Sequence, residues 1–167
     1  MTLQSNLDCK IIIPARYKSS RFEGKPLAQI HDVPMIKRVW LQCIQVVQED
    51  NVFVATDSNR IRDYCSSEGI KSIMTSDTCL TGTDRVFEAS KKIDADLYIN
   101  VQGDEPLIDP SDIQKVIDES LKYPNDVINA MAEISDEIDF RSSGVPKVIF
   151  DSRKNLLFMS RAPIPTN

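Results

Sequence analysis

The chain has 167 residues, a net charge of −5, and apolar and charged fractions of 41% and 27%. That length suffices for one domain with a sizeable core, and the composition excludes a disordered or fibrous protein. The negative charge argues against general nucleic-acid binding, which needs a broad basic surface. The sequence contains neither a run of about 18 apolar residues nor a signal-peptide pattern. We therefore expect a cytoplasmic protein with one domain over residues 1–167.

Short apolar runs alternate with amphipathic segments along the chain. The expected strands cover 9–13, 51–55, 71–74, 97–101 and 127–134, followed by a hairpin of 147–150 with 156–160. The expected helices cover 34–47, a segment from the N-cap Asp57 to about Ser67, 83–93 and 110–122. Gly69 is expected to end the second helix. Alternation of this kind predicts an α/β sandwich built on a mostly parallel sheet.

The loop after the first strand is strongly basic, although the protein as a whole is acidic. The strand is expected to stop at Pro14, and the following residues carry four cations and one acid, which are Arg16, Lys18, Arg21, Lys25 and Glu23. A basic loop at the carboxyl end of a strand indicates a site for a polyanion such as a nucleoside triphosphate. The loop matches neither the Walker A motif nor G-x-G-x-x-G, which disfavours a P-loop ATPase and a hydride-transfer enzyme.

Polar segments also follow three other strands, at 55–57, 80–85 and 102–106. Because ligands bind beyond the carboxyl ends of parallel strands, we expect these segments to meet at one edge of the sheet. Asp104 follows a buried strand through Gly103, and its carboxylate suits Mg²⁺; a simple turn acid is the alternative. Residues 82–85 open a helix, where backbone N–H groups bind anions or base carbonyls; a plain helix cap is the alternative.

The remaining reactive side chains indicate no chemistry of their own. The cysteines are widely separated and form no C-x-x-C pair, which disfavours a zinc site and predicts buried free thiols. His31, the one histidine, stands beside Asp32 and is expected in a turn rather than in a catalytic triad. Arg161 follows a late strand, where it either clamps a sugar carboxylate or forms a structural salt bridge.

Taken together and in order, several segments resemble the 3-deoxy-manno-octulosonate (Kdo) cytidylyltransferases, also called CMP-Kdo synthetases. The segments are 13–27, 55–57, 82–85, Asn-Val-Gln-Gly-Asp-Glu-Pro at 100–106 and Met-Ser-Arg-Ala-Pro-Ile-Pro at 159–165. The last two are specific for that family. The first loop alone is also similar to that of sialic-acid cytidylyltransferases and other sugar nucleotidyltransferases.

The resemblance implies a Rossmann-like three-layer α/β/α nucleotidyltransferase fold with a mostly parallel, mixed sheet. It implies transfer of CMP from CTP to Kdo with release of pyrophosphate, for lipopolysaccharide or capsule biosynthesis, with Mg²⁺ as cofactor. It also implies a homodimer for the family. The charge and the lack of a long apolar run predict neither nucleic acid nor a membrane as partner. The catalytic residues would be Arg16 and Lys25 at the triphosphate and Asp104 at the metal. The substrate-binding residues would be Ala15, Thr83, Arg85, Gln102 and Arg161.

Family members extend beyond the position of Asn167, so the resemblance implies that a C-terminal part with a second metal-binding acid and the dimer contacts is missing. Two alternatives stay open at this point. One is a cytidylyltransferase for another acid sugar, such as 8-amino-Kdo or a nonulosonic acid. The other is a nucleotide-binding fragment without catalysis.

Overall fold

The computed structural model describes residues 7–18 and 22–165 of the chain. Contacts divide these residues into two compact units, one up to Ile128 and one from Asn129 onward. Each unit is described by itself below. The single domain expected over 1–167 stays a prediction.

The first unit is built on a parallel sheet of four strands. In chain order, its strands and a short hairpin are β1 (Cys9–Ala15), the hairpin β2 (Gln29–Ile30) and β3 (Val33–Pro34), then β4 (Val52–Thr56), β5 (Lys71–Met74) and β6 (Leu97–Asn100). The order across the sheet is β5-β4-β1-β6, and all three pairings are parallel. This corresponds to the first four strands, 3-2-1-4, of a doubly wound Rossmann sheet, so the mostly parallel α/β prediction is confirmed.

Four helices cover the two faces of this sheet: α1 (Met35–Cys43), α2 (Asn59–Ser67), α3 (Gly82–Ser90) and α4 (Pro110–Lys122). Successive side chains of a strand point to opposite faces. Accordingly, Ile11 and Ile13 of β1 lie in the larger core cluster with α1, α2 and α4, whereas Ile12 packs in the smaller cluster with α3. The result is three layers, and in the described part of the first unit α3 is the one helix on its face.

Pro14 does not end the first strand, contrary to the expectation, because β1 continues to Ala15. The Ile12 carbonyl accepts the Val101 N–H at 3.2 Å, so Ile12 and Pro14 direct their peptide groups toward the β6 side. The β1–β6 ladder ends at Ile12 paired with Asn100. The missing N–H of Pro14 therefore costs no ladder hydrogen bond, and pairing with β4 carries the strand onward.

The helix expected over 34–47 is shorter in the structure, where α1 covers Met35–Cys43 with Pro34 as N-cap. Two other helix predictions need correction at their N-termini. The structure begins α2 at Asn59 with Ser58 as N-cap, so Asp57 does not cap it. Helix α3 begins at Gly82, one residue before the predicted start, and ends at Ser90. Helix α4 covers the predicted residues, and Gly69 follows α2 with a φ of 73°, as predicted for the residue that ends a helix.

The second unit holds α5 (Glu137–Arg141) and an antiparallel hairpin of β7 (Lys147–Phe150) and β8 (Leu156–Ser160). The hairpin confirms the prediction. The strand predicted over 127–134 is wrong, since these residues form no regular structure. A strand is stable only when another strand pairs with it, and among the described residues none pairs with this segment, where Val127 is 91% exposed.

The expectations for the cysteines and the histidine are largely confirmed. All four cysteines are free; three are buried, and burial raises the pKa of the Cys43 and Cys65 thiols to about 12. Cys79 is half-buried. His31 and Asp32 have φ values of 46° and 60° in the turn between β2 and β3. Among the described residues, the helices are too short or too polar to cross a bilayer.

Candidate functional site

A cavity of about 520 Å³ opens at the carboxyl edge of the parallel sheet. Its lining residues come from the end of β1, the basic loop, the start of α1, the segment before α3, the first turn of α3 and the segment after β6. They are Pro14, Ala15, Arg16, Phe22, Lys25, Pro26, Met35, Cys79, Leu80, Thr81, Gly82, Arg85, Gln102, Gly103 and Asp104. The sheet order reverses between β1 and β6, and the end of β1 and the segment after β6 both contribute to the lining. The cavity therefore lies where doubly wound folds bind their ligands.

The described part of the basic loop is held in place by Tyr17. The Gly24 N–H donates to the Tyr17 carbonyl at 2.8 Å, which closes the loop. The Arg60 guanidinium lies 4.9 Å from the Tyr17 ring centre and donates to its hydroxyl at 2.8 Å. Gly24 has a φ of 71°, and a Cβ there would lie 3.1 Å from the Tyr17 ring. This closure places Lys25, the residue after Gly24, at the cavity.

Lys25 and Asp104 meet at the rim of the cavity, although 79 positions separate them in the chain. The Lys25 ammonium donates to Asp104 Oδ2 at 2.8 Å, and the side chains are 41% and 54% exposed. Arg16 also lines the cavity and is exposed. The structure thus brings together the three residues predicted to be catalytic. Two cations and one carboxylate at a solvent-accessible rim can bind phosphates and a metal ion.

Close backbone approach shapes the edge of the cavity beside β6. A Cβ on Gly103 would lie 2.6 Å from the Pro14 carbonyl oxygen, so a glycine is needed where β1 and β6 end. A Cβ on Gly82 would lie 2.9 Å from Gln102 Oε1. Gln102 also donates to Asn100 Oδ1 at 3.2 Å. Ala15 and Gln102, which are both predicted to bind the substrate, line this part of the cavity.

Arg85 lines the cavity as a buried residue, with its side chain 3% exposed. Its Nη2 donates to Asp57 Oδ2 at 3.0 Å, and its Nη1 donates to Thr75 Oγ1 and to the Ser76 carbonyl. Asp57 follows β4, whereas Thr75 and Ser76 follow β5. Arg85 therefore joins the ends of two strands to α3, a role that the sequence did not predict.

The N-terminus of α3 is capped by its own residues. Thr81 Oγ1 accepts the Asp84 N–H at 3.1 Å, and Asp84 Oδ2 accepts the Thr81 N–H at 2.8 Å. The plain helix cap, left open by the sequence, is therefore present. Thr83 is exposed on the first turn and is not among the cavity-lining residues, whereas its neighbour Gly82 is.

Glu88 anchors the other end of the segment that leads into α3. Its two carboxylate oxygens accept the Ser76 N–H at 2.9 and 3.0 Å, and Oε2 accepts from the Cys79 thiol at 3.3 Å. The hydrogen bonds from Cys79 and Ser76 lower the pKa of Glu88. Burial and the bond to Glu88 raise the pKa of the Cys79 thiol. Cys79 is therefore a neutral part of the cavity wall rather than a nucleophile.

Asp104 is the residue at the cavity most suited to a metal ion. Among the described residues, no three Asp, Glu, His or Cys side chains gather into a metal cluster. Mg²⁺ keeps most of its waters and is bound through one or two carboxylates together with substrate phosphates. The exposed Asp104 carboxylate fits that donor set. Partial burial and the Asp104 carboxylate raise the pKa of the adjacent Glu105.

Arg161 belongs to the second unit, where it binds the backbone. Its Nη1 donates to the carbonyls of Ser143 and Gly144 at 3.0 and 3.1 Å. Lys147 is buried beside this loop and donates to the Val145 and Arg161 carbonyls at 2.8 and 3.2 Å. The guanidinium has a structural partner here, and its predicted role at a sugar stays a prediction.

Sequence reasoning missed the roles of Asp57 and Glu88. The sequence predicts that Asp57 lies at the carboxyl edge of the sheet, where the structure has it, but favours the role of a helix cap. A signal was present, because an arginine in the buried face of a predicted helix needs a carboxylate partner. Glu88 gave no such signal, since its partners are a backbone N–H and a thiol that only the folded loop brings near.

The sheet order and the charged cavity at its switch point define a Rossmann-like α/β protein built to hold an anionic ligand. Residues 10–167 match the family model described as cytidylyltransferase. The chain belongs to the cytidylyltransferase family.

Individual relatives agree with this assignment. The chain is 43% identical to the 3-deoxy-manno-octulosonate cytidylyltransferase of Trichlorobacter lovleyi, over 92% of this chain and 62% of the relative. It is 40% identical to the 8-amino-3,8-dideoxy-manno-octulosonate cytidylyltransferase of Shewanella pealeana, over 95% and 67%. A solved structure of CMP:2-keto-3-deoxy-manno-octonic acid synthetase complexed with CTP has a TM-score of 0.82 and 37% identity, over 95% of this chain and 66% of that one. The chain thus spans about two thirds of the length of these proteins.

Proposed function

We propose that this protein transfers CMP from CTP to 3-deoxy-manno-octulosonate, forming CMP-Kdo and pyrophosphate. The observation that carries the proposal is the meeting of Lys25 and Asp104, 2.8 Å apart, at a cavity on the switch point of the sheet. Support comes from the names of the relatives and from the CTP complex of the similar solved structure.

In this reaction the anomeric hydroxyl oxygen of the sugar attacks the α-phosphorus of CTP. A new P–O bond forms, the bond from the α-phosphorus to the bridging oxygen of the β-phosphate breaks, and pyrophosphate leaves. The hydroxyl proton passes to solvent. No covalent bond to the protein is required, so the chain contributes by positioning the reactants and stabilising charge.

The residues of the cavity have different roles in this reaction. Arg16 and Lys25 bind the triphosphate and stabilise the negative charge that passes to the leaving pyrophosphate. Asp104 would hold Mg²⁺, which would supply positive charge to neutralise the phosphates. Ala15, Arg85 and Gln102 contact the nucleotide, with Thr83 at the edge of the same site. Arg161 is assigned to the sugar.

A second candidate substrate is 8-amino-3,8-dideoxy-manno-octulosonate. Relatives named for that sugar are 39–42% identical to the chain, close to the 39–44% of those named for Kdo. A cytoplasmic location, as expected from the sequence, is part of the same proposal. The homodimer that the resemblance implies is assigned to the longer family members, which carry the C-terminal dimer contacts.

Calorimetric titration with CTP, ATP, GTP and UTP, with and without Mg²⁺, tests the nucleotide half of the proposal. We expect binding that is selective for CTP and strengthened by Mg²⁺. In Asp104→Asn the strengthening by Mg²⁺ should disappear, because the amide carries no charge. Unchanged Mg²⁺ dependence in that variant would contradict the metal assignment, and an absence of CTP binding by the wild-type protein would contradict the function.

Release of pyrophosphate tests the sugar half. With CTP and Mg²⁺ present, Kdo and 8-amino-Kdo are compared as acceptors at equal concentrations. Faster release with Kdo supports the first candidate, and faster release with the amino sugar supports the second. CTP binding without release with any acid sugar would indicate a nucleotide-binding module.

A further inference from the structure

Arg85 is a buried charge in the wall of the nucleotide cavity. Its guanidinium is held from two sides, by the Asp57 carboxylate after β4 and by the Thr75 hydroxyl and Ser76 carbonyl after β5. An arginine side chain carries five N–H donors in a rigid planar fork. Three of them are used in these bonds, and Nε donates to no other residue in the described part of the chain. Two donors thus remain for a ligand.

Asp57 stands behind Arg85 rather than in the cavity. It is not a lining residue, its side chain is 14% exposed, and it does not cap α2. Its recorded side-chain contact within the described residues is the bond to Arg85 at 3.0 Å. Burial of a carboxylate is costly without a partner, so the position of Asp57 is explained by what it does to Arg85.

We propose that Asp57 is a positioning residue for nucleotide binding, which it serves by fixing the orientation of the Arg85 guanidinium. The proposal rests on the proposed function. With Nη1 and one hydrogen of Nη2 bound, the fork cannot rotate, and the remaining N–H groups are presented to acceptor atoms of the nucleotide in the cavity. Without the carboxylate, the guanidinium is free to turn, and its contacts with the nucleotide are weakened.

A double-mutant cycle on CTP affinity tests the proposal. Asp57→Asn and Arg85→Gln should each weaken CTP binding by about tenfold or more, the effect of losing one charge-assisted contact. Because Asp57 acts through Arg85, adding Asp57→Asn to Arg85→Gln should weaken binding no further. Additive losses, or wild-type affinity in Asp57→Asn, would overturn the proposal.

Two further variants separate positioning from stability. Asp57→Glu keeps the carboxylate and should bind CTP more tightly than Asp57→Asn; equal affinity of the two would contradict positioning. Asp57→Leu combined with Arg85→Met replaces the buried pair by apolar side chains, a change that buried ion pairs tolerate. This double variant should give a folded protein by circular dichroism with CTP affinity as weak as that of Arg85→Gln, and wild-type affinity would overturn the proposal.

Glu68→Gln is the matched control. It breaks the ion pair between Lys37 and Glu68, neither of which lines the cavity, and it should leave CTP affinity unchanged.

The outcomes of these experiments also distinguish failure of the proposed function from failure of this inference. If the wild-type protein fails to bind CTP, the proposed function fails and this inference with it. If the wild-type protein binds CTP and the cycle is additive, only the inference fails.

Discussion

Two ion pairs at the same cavity have similar lengths but very different exposure to solvent. Arg85 and Asp57 in the wall lie 3.0 Å apart, with side chains 3% and 14% exposed. Lys25 and Asp104 at the rim lie 2.8 Å apart, with side chains 41% and 54% exposed. The wall pair is removed from water and bonded to two strand ends, whereas water screens the rim pair and can replace either partner.

The difference assigns different tasks to the two pairs. The rim pair can exchange its internal bond for a phosphate on Lys25 and a metal ion on Asp104 without unfolding anything. The wall pair cannot exchange partners cheaply, because either charge left alone would be buried. A preorganised wall beside an adaptable rim suits a site that must admit a highly charged ligand and then hold it in one orientation.

The largest effect on stability is expected from breaking the wall pair. Arg85→Met should lower the free energy of unfolding by about 3–5 kcal/mol, because Asp57 is left as a buried charge without its partner. Urea denaturation monitored by circular dichroism measures this loss. Adding Asp57→Leu should restore most of it, since the orphaned carboxylate is then gone. A single variant as stable as the wild type would show that the wall is less buried than the structure indicates.

A smaller loss is expected where β1 and β6 end. Gly103→Ala should destabilise the protein by about 1–3 kcal/mol, the usual range for overpacking. The new Cβ would meet the Pro14 carbonyl, which is backbone and cannot turn away. Gly82→Ala is the matched control, because its Cβ would meet only side-chain atoms, the Gln102 amide, which can rotate, and Pro14 Cγ at 3.2 Å. Equal losses of stability in the two variants would show that the Pro14 contact adds nothing to the fixed part of the site.

At the rim, a substitution should change ligand binding while it leaves the stability of the fold nearly unchanged. Lys25→Met should change the free energy of unfolding by less than about 1 kcal/mol, as expected for an exposed pair. It should weaken CTP binding more than cytidine binding, because the proposed function places the triphosphate, rather than the base or the ribose, at this ammonium. Lys37→Met, which removes a cation outside the cavity, is the control. Equal weakening of CTP binding and cytidine binding would show that Lys25 does not contact the phosphates.

The same contrast explains how far the sequence could predict the molecule. Strand cores such as Ile11–Ile13 and a helix with proline in its first turn, such as α4, are local patterns, and the structure confirms them. The meeting of Lys25 and Asp104 followed from a topological rule, because carboxyl ends of parallel strands share one edge. The strand expected over 127–134 failed because pairing is not local, and composition does not reveal whether a partner strand is present.

The wall was harder to predict than the rim for a related reason. Asp57 has two plausible uses in the sequence, as a helix cap or as a counter-charge, and local propensity favours the cap. The competing demand comes from Arg85, 28 positions later, whose burial is decided by the packing of α3 on the sheet. When one residue can satisfy either a local or a buried long-range requirement, the buried requirement carries the larger free energy.

The smallest effect expected here concerns Glu88, which fastens the segment before α3 to the helix. Its hydrogen bonds lower its pKa in the folded state, so the ionised carboxylate stabilises the fold. That contribution is complete above the unfolded-state pKa of about 4.3 and is lost as the pH falls through the lower folded pKa. Glu88→Gln should therefore show a shallower loss of stability than the wild type as the pH falls below about 5. Urea denaturation at a series of acidic pH values measures the two slopes, and identical slopes would mean that Glu88 does not hold this part of the wall.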